Sequence, residues 1–160
     1  MHSSHLPSLT DLATEPITGS HTTQAVSVTD LNKVLSAATF LEGLGFEALS
    51  CAPGECVLHV PYLPRNDRPG GVINGMTIMG AADVAMWLAI LSARGVHEQW
   101  VTTDLKTSFL KAARQEALTC TAKVLKLGQR TAYGTVEIRG ANADLLTHHV
   151  LSFAKVEIRV

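Results

Sequence analysis

Cysteine is scarce in this 160-residue chain, and the three present, Cys51, Cys56 and Cys120, are odd in number with no C-x-x-C spacing. That excludes a disulfide scaffold and a zinc ribbon and fits a reduced, cytoplasmic protein in which all three are small core or strand residues. Basic charge in excess is also missing. The formal net charge is −1 and the pI about 6.6, with Lys and Arg scattered along the chain. No field is available to hold nucleic acid or an anionic membrane. The first basic residue is Lys33, so we expect neither a secretory signal, which needs a charged start, nor an Arg-rich transit peptide. Charged residues make up only 17% of the chain against 46% hydrophobic, as in one domain that hides much of its surface.

Residues 1–28 are rich in Ser, Thr, His and Pro without a sustained period, and we expect a poorly ordered arm ahead of a domain spanning 29–160. Thr29 or Asp30 is expected to cap a first helix carrying Leu31, Val34, Leu35 and Leu41, which Gly43 and Gly45 end. Two strands follow around Ala-Pro-Gly-Glu, and LPRNDRPGG reads as a loop. Beyond Gly95 the apolar period becomes two. Val101, Leu105 and Phe109 share a face, as do Leu118, Cys120, Ala122 and Val124, then Ala132, Val136 and Ile138, and finally Leu146, Val150, Ala154, Val156 and Ile158. Short turns join these runs, implying an antiparallel meander.

Between the two halves lies GGVINGMTIMGAADVAMWLAILSA, residues 70–93. From Met76 it reads as a helix apolar on every face, and such a helix is enclosed on all sides. A membrane span is the lesser alternative, because Asp83 near its middle costs roughly 3 kcal/mol to insert. Six strands and one helix without a polar face predict an α+β fold with the sheet curled over the helix.

Asp83 is the one ionisable group in that helix, and a carboxylate so placed needs a reason. Gly70, Gly71 and Gly75 let backbone approach a ligand, and the free N–H groups of the first helical turn favour developing negative charge. Gly70 and Gly75 have the glycine spacing of a phosphate-binding loop, but Met76 stands where its lysine is required. A carbonyl oxyanion is the better fit. Eight residues of helix separate Gly75 from Asp83, a rise of about 12 Å that an aspartate cannot span. If both act on one substrate atom, Asp83 must come from a second copy, giving a two-fold dimer with two shared sites. A buried structural carboxylate is the competing reading of Asp83 alone.

The 70–93 run, followed by VTTDLKTSFLKAARQEALTCTAKVLKLGQRTAYGTVEIR, resembles the PaaI-type hot-dog acyl-CoA thioesterases over roughly residues 40–158. The specific parts are the Gly75/Asp83 spacing, the T-x-D-L-x-x-x-F-L strand and the V-L-K-L-G-Q-R turn. The resemblance implies a long helix wrapped by an antiparallel sheet, a homodimer or a dimer of dimers, and no cofactor beyond the coenzyme A of the substrate. It makes Asp83 the nucleophile or general base, Gly75 the amide that polarises the thioester carbonyl, and Thr102 a hydroxyl that orients water. Lys126, Gly128, Arg130 and Thr131 fall on a turn that contacts coenzyme A, with the two cations available for its phosphates; Thr103 and Phe109 lie on the strand beside that groove. The chain departs from the pattern at Asn74, where many relatives carry His and where a hydrogen-bond donor remains but no proton exchanger. Arg68 replaces an expected Asn, for which Asn66 is the substitute, and Trp87 replaces a hydroxyl residue and is expected to narrow the acyl pocket. The implied activity is hydrolysis of a medium-chain or aryl acyl-CoA. A non-catalytic acyl-CoA binding module and, further behind, a hydratase are the alternatives. His148 and His149 point to opposite strand faces and cannot chelate one metal together.

Overall fold

A computed structural model describes residues 25–157 of the chain. The expected arm falls, through residue 24, outside the described residues, as does Ile158. Helix α1 spans Val28–Ala37. Its cap is Ser27, not Thr29 or Asp30: Ser27 Oγ accepts from the Asp30 amide while the Asp30 carboxylate accepts from the Ser27 amide, 3.2 and 3.0 Å. Asp30 thus closes a reciprocal box from the third helical position. The helix gives way to a 3-10 turn, Thr39–Leu41, before Gly43 takes φ +74°. Asn32 pins α1 to the sheet by bonding both backbone groups of Ala48, at 2.9 and 3.0 Å.

Strands β1 (Glu47–Ala52) and β2 (Glu55–Val60) form a hairpin about Pro53-Gly54, where Gly54 at φ +80° supplies the conformation that follows proline in a tight turn. The expected loop holds a 3-10 turn, Pro64–Asn66, and a two-residue ribbon of β3 (Asp67–Arg68) with β4 (Val72–Ile73). Helix α2 runs Gly75–Arg94, capped by Asn74. Then come β5 (Gln99–Phe109), β6 (Leu118–Leu127), β7 (Thr131–Arg139) and β8 (Leu145–Val156). Six strands form one antiparallel sheet in the order β1-β2-β6-β7-β8-β5, and the sheet curls over α2.

At Gly134 the sheet takes the Met86 side chain of α2 directly against its backbone. A Cβ there would lie 2.6 Å from Met86 Cε and 2.4 Å from the Lys123 carbonyl oxygen. Ser92 ties the far end of α2 to the hairpin, donating to the Ala52 carbonyl at 2.7 Å and accepting from the Gly54 amide at 3.0 Å. The faces of β6 and β7 are as expected, with Leu118, Cys120, Ala122, Ala132, Val136 and Ile138 buried. The face of β8 is not. Past Leu146 the core takes Thr147, His149, Leu151 and Phe153, and Val150, Ala154 and Val156 look the other way. An irregularity opposite Ile138/Arg139 adds one residue to β8 at Leu146, and one residue exchanges the faces of everything beyond it. His149 is thereby fully buried, its two ring nitrogens paired with the Thr107 and Thr147 hydroxyls at 2.8 Å each.

Candidate active site

The sheet and α1 do not enclose α2. Met76 is 82% exposed and Met79 37%, Gly80 is exposed, and Asp83 and Trp87 are half-buried. These positions recur every three or four residues and form one stripe. A side chain added at Gly80 would meet nothing within 4 Å. The sequence expectation of a helix covered on all sides is therefore corrected for the single chain. Apolar composition all round says that every face is to be covered, and the stripe is the face this chain does not cover for itself.

Asp83 lies on that stripe. Thr102 Oγ1 donates a short hydrogen bond to Asp83 Oδ1, so the pair joins α2 to β5. A bulge on β5 aims the threonine: the pairing to β8 slips between Thr102 and Asp104, leaving Thr103 unpaired and exposed. Burial pushes the Asp83 carboxyl above its ordinary range, and the Thr102 hydrogen bond pulls against it. Beside the carboxylate opens a concavity of about 330 Å³ lined in part by Phe40, Trp87, Trp100 and Phe153. Phe40 and the Trp87 ring meet at a centroid distance of 6.4 Å. The sequence reading singled out Trp87 as a pocket residue and Trp100 as a core or interface residue at a strand start; nothing there signals that Phe40, from the far side of the chain, joins them.

A second concavity, about 390 Å³, opens at the start of α2, with Gly75, Arg68, Phe109 and Leu110 among its lining. The Gly75 and Met76 amides have no acceptor among the described residues, as the first turn of a helix requires. The Phe109 ring lies against Gly75, 3.2 Å from where a Cβ would be. Asn74 is occupied in holding this corner: its Oδ1 accepts from the Thr77 amide at 2.9 Å, and its Nδ2 donates to the Asn66 carbonyl at 2.7 Å and to Thr77 Oγ1 at 3.0 Å. Asn66 also accepts from the Asn74 amide at 2.8 Å. Asn74 and Asn66 thus fix where the Gly75 amide points.

The sheet register sorts the remaining candidates. Thr131 pairs with Ala154, and Ala154 with Val101, so the β6–β7 turn lies at the Thr102 end of the sheet. The Arg130 carbonyl accepts from the Lys155 amide at 2.8 Å, and Gly128 closes the turn by donating to the Thr131 carbonyl at 2.8 Å. Arg130 lines a surface hollow with Arg94 and Lys155, while Lys126 is exposed on β6 opposite Tyr133. Phe109 pairs with Thr147, seven residues along β5 from Thr102 or about 23 Å of strand. The predicted residues therefore form two groups. Asp83, Thr102, Thr103 and the Lys126–Thr131 turn occupy one end; Gly75, Asn74, Asn66 and Phe109 occupy the other. Within one chain the two groups do not meet.

The thioesterase superfamily profile matches residues 70–146, the stretch carrying α2 and the Asp83–Thr102 pair. A protein of Saccharolobus solfataricus described as a "putative esterase" is 31% identical over 102 residues, covering 64% of this chain and 72% of the relative. The chain belongs to the thioesterase superfamily. Solved superfamily-like structures agree in fold. A conserved Pseudomonas aeruginosa protein aligns with TM-score 0.70 at 27% identity, over 74% of this chain and 94% of that one. Zebrafish thioesterase superfamily member 2 gives 0.72 at 25%, over 81% and 98%. The E. coli PaaI protein from the phenylacetic acid degradation operon gives 0.73 at 18%, over 81% and 92%. This thioesterase-superfamily chain has the hot-dog fold, its six-stranded sheet wrapped on α2, and shares that fold with the PaaI protein.

Proposed function

We propose that the protein hydrolyses a medium-chain or aryl acyl-CoA to the free acid and coenzyme A, at sites built between two copies of the chain. The observation that carries this is the division of the candidate residues: an activated carboxylate at one point of the uncovered helix stripe, an unengaged amide eight residues away on the same helix.

Midway between Gly75 and Asp83 on α2 is Met79, on the uncovered stripe next to the open Gly80. A two-fold axis passing there brings each Asp83 to the partner's helix start. The sheet independently suggests the same axis. Strand β5 is an edge of the sheet, eleven residues long, with Val101 and Phe109 exposed. The sequence reading gave these two residues a shared apolar face, but the extra residue at Thr103 separates them: Val101 lies opposite outward-facing Ala154 and Phe109 opposite core-facing Thr147. A long open edge invites a second strand. Antiparallel pairing of two β5 edges centred between Leu105 and Lys106 sets Thr102 against the partner strand's opposite end, the one beside the helix start. Helix and strand thus call for one dimer.

In that dimer the thioester carbonyl lies between Asp83 of one copy and the Gly75 amide of the other. Asp83 either attacks the carbonyl carbon or takes a proton from the water that does. In the first case the C–S bond electrons leave with the coenzyme A sulfur and water then cleaves the acyl–Asp83 anhydride to the free acid; in the second the water oxygen joins the carbonyl carbon, the C–S bond breaks, and the proton taken by Asp83 passes to the departing sulfur. In both the Gly75 N–H stabilises the tetrahedral oxyanion. Thr102 holds Asp83 in place. The coenzyme A phosphates meet the Lys126–Thr131 turn, with Lys126 and Arg130 as cations, and Phe109 flanks the groove. Each step is assigned to side chains and backbone of this chain, and coenzyme A enters as part of the substrate.

The test is free-thiol release from short, long and aromatic acyl-CoAs by wild type and Asp83→Ala. Loss of more than a hundredfold in kcat with the variant still dimeric is the expected result. Hydrolysis at the wild-type rate by Asp83→Ala overturns the mechanism, and saturable acyl-CoA binding without turnover would identify a binding module instead.

A further inference from the structure

The chain has few aromatic residues: four Phe, two Trp and two Tyr. Both tryptophans and two of the phenylalanines line the single concavity beside Asp83. They come from four separate places in the chain, namely the 3-10 turn after α1, the middle of α2, the start of β5 and the end of β8. Local sequence cannot produce that gathering.

The four differ in how firmly they are held. Trp100 and Phe153 form a rigid floor, 5% and 2% exposed. Trp100 is further fixed by donating from Nε1 to the Glu98 carboxylate at 3.0 Å, with the Arg94 guanidinium 5.9 Å from its ring centre. Trp87 and Phe40 are walls. Trp87 is half-buried, one turn past Asp83, and Phe40 is 71% exposed with its ring tilted 45° to the indole. Phe40 is one of several large hydrophobics exposed on this chain, and it is set apart by its place against Trp87 at the rim of the hollow beside Asp83. A cavity of roughly 150 Å³ accepts benzene, so about 330 Å³ takes one ring and its link to the thioester carbonyl.

We propose that Trp87 and Phe40 are the residues that select the acyl group, favouring a flat aromatic ring over a saturated group of the same size. This rests on the thioesterase reading above and adds to it the residues that choose the substrate. Tilted aromatic walls offer a planar ring both edge and face contacts. A puckered ring buries similar area but gains none of the attraction between π-systems. Phe40 reaches the site from the α1 corner, so the segment least like a catalytic element controls selectivity.

The experiment compares benzoyl-CoA with cyclohexanecarbonyl-CoA, two acyl groups of equal carbon number, in wild type, Trp87→Leu and Phe40→Leu. Leucine keeps each wall apolar and removes only its ring. Wild type should favour the benzoyl thioester about tenfold in kcat/KM, and each variant should bring the ratio toward one. An equal ratio in wild type, or a wild-type ratio surviving in both variants, overturns the proposal. Calorimetric binding of the same two thioesters to Asp83→Asn reads the preference with the chemistry disabled. If wild type releases no thiol from any acyl-CoA, the hydrolysis reading fails while this binding ratio still decides the role of the two aromatics.

Discussion

Gly75→Pro deletes one backbone N–H and little else. Gly75 is the first residue of α2, the helical position where proline is most at home because its missing donor has no intrahelical partner. Asn74, at φ −67° and ψ 151°, already has the extended backbone that a following proline demands. Gly75 is not among the positive-φ glycines. The new ring presses on Phe109, whose Cζ stands 3.2 Å from the added Cβ position, but that side chain is 55% exposed and free to shift. Gly75→Ala makes the same contact and keeps the amide, so the pair of variants separates bulk from donor. Removal of an oxyanion donor costs about 10²- to 10³-fold in kcat, or roughly 3–4 kcal/mol of barrier. Proline should show that loss and alanine should largely escape it. Co-expressing Gly75→Pro with Asp83→Ala under two affinity tags, and purifying through both, then tests where the site lies. In the heterodimer one site combines both lesions and the other is intact. Activity should return to about half the wild-type value per dimer, although each parent homodimer is nearly inactive. A heterodimer no more active than its parents, or a protein that forms no dimer, refutes the shared site.

Four further outcomes follow from buried groups. Because burial raises the Asp83 pKa in the folded state, ionised Asp83 opposes folding: its contribution to stability is full below the ordinary carboxylate pKa and lost as pH rises through the raised value. Asp83→Asn should therefore melt higher than wild type at neutral pH, with the gain vanishing in acid, and Thr102→Val should move the acid limb of the kcat/KM profile to higher pH, because the hydrogen bond it removes holds that pKa down. His149 is held neutral by burial, its pKa lowered to about 4 with a smaller push from His148, so the unfolded chain takes up the proton first. Stability followed by denaturant midpoint should fall as pH drops from 6.5 toward 4, and His149→Gln should flatten that slope. Gly134→Ala should cost about 2–3 kcal/mol in urea unfolding, since the added methyl collides with the Lys123 carbonyl, which cannot turn aside.

Much of the architecture was legible because it follows local rules. The apolar run from Met76 located α2, which begins one residue earlier at Gly75, and period-two alternation set β6 and β7 with their inward faces. The cap of α1 was misplaced by two residues or more, since Ser27, Thr29 and Asp30 are all competent caps and only the bond from Ser27 to the Asp30 amide distinguishes them. The inward face of β8 was read one residue out of phase, because a bulge at Leu146 leaves no compositional trace.

For the site, the sequence alone determined the chemical parts and one constraint: a carboxylate in an apolar helix, an unoccupied amide at its start, and a rise between them too long for either to reach the other's target. Those are consequences of residue type and helix geometry, which act over a few residues. Tertiary structure decided what those parts stand beside. It brought Thr102 to Asp83 through the β5 bulge, turned Asn74 and Asn66 into props for the Gly75 amide, and gathered Phe40, Trp87, Trp100 and Phe153 from four elements. It also showed that the stripe through Met76, Met79, Gly80 and Asp83 is open. Such arrangements depend on how a curled sheet meets one side of a helix, and contacts between residues far apart in the chain leave no periodic mark on it.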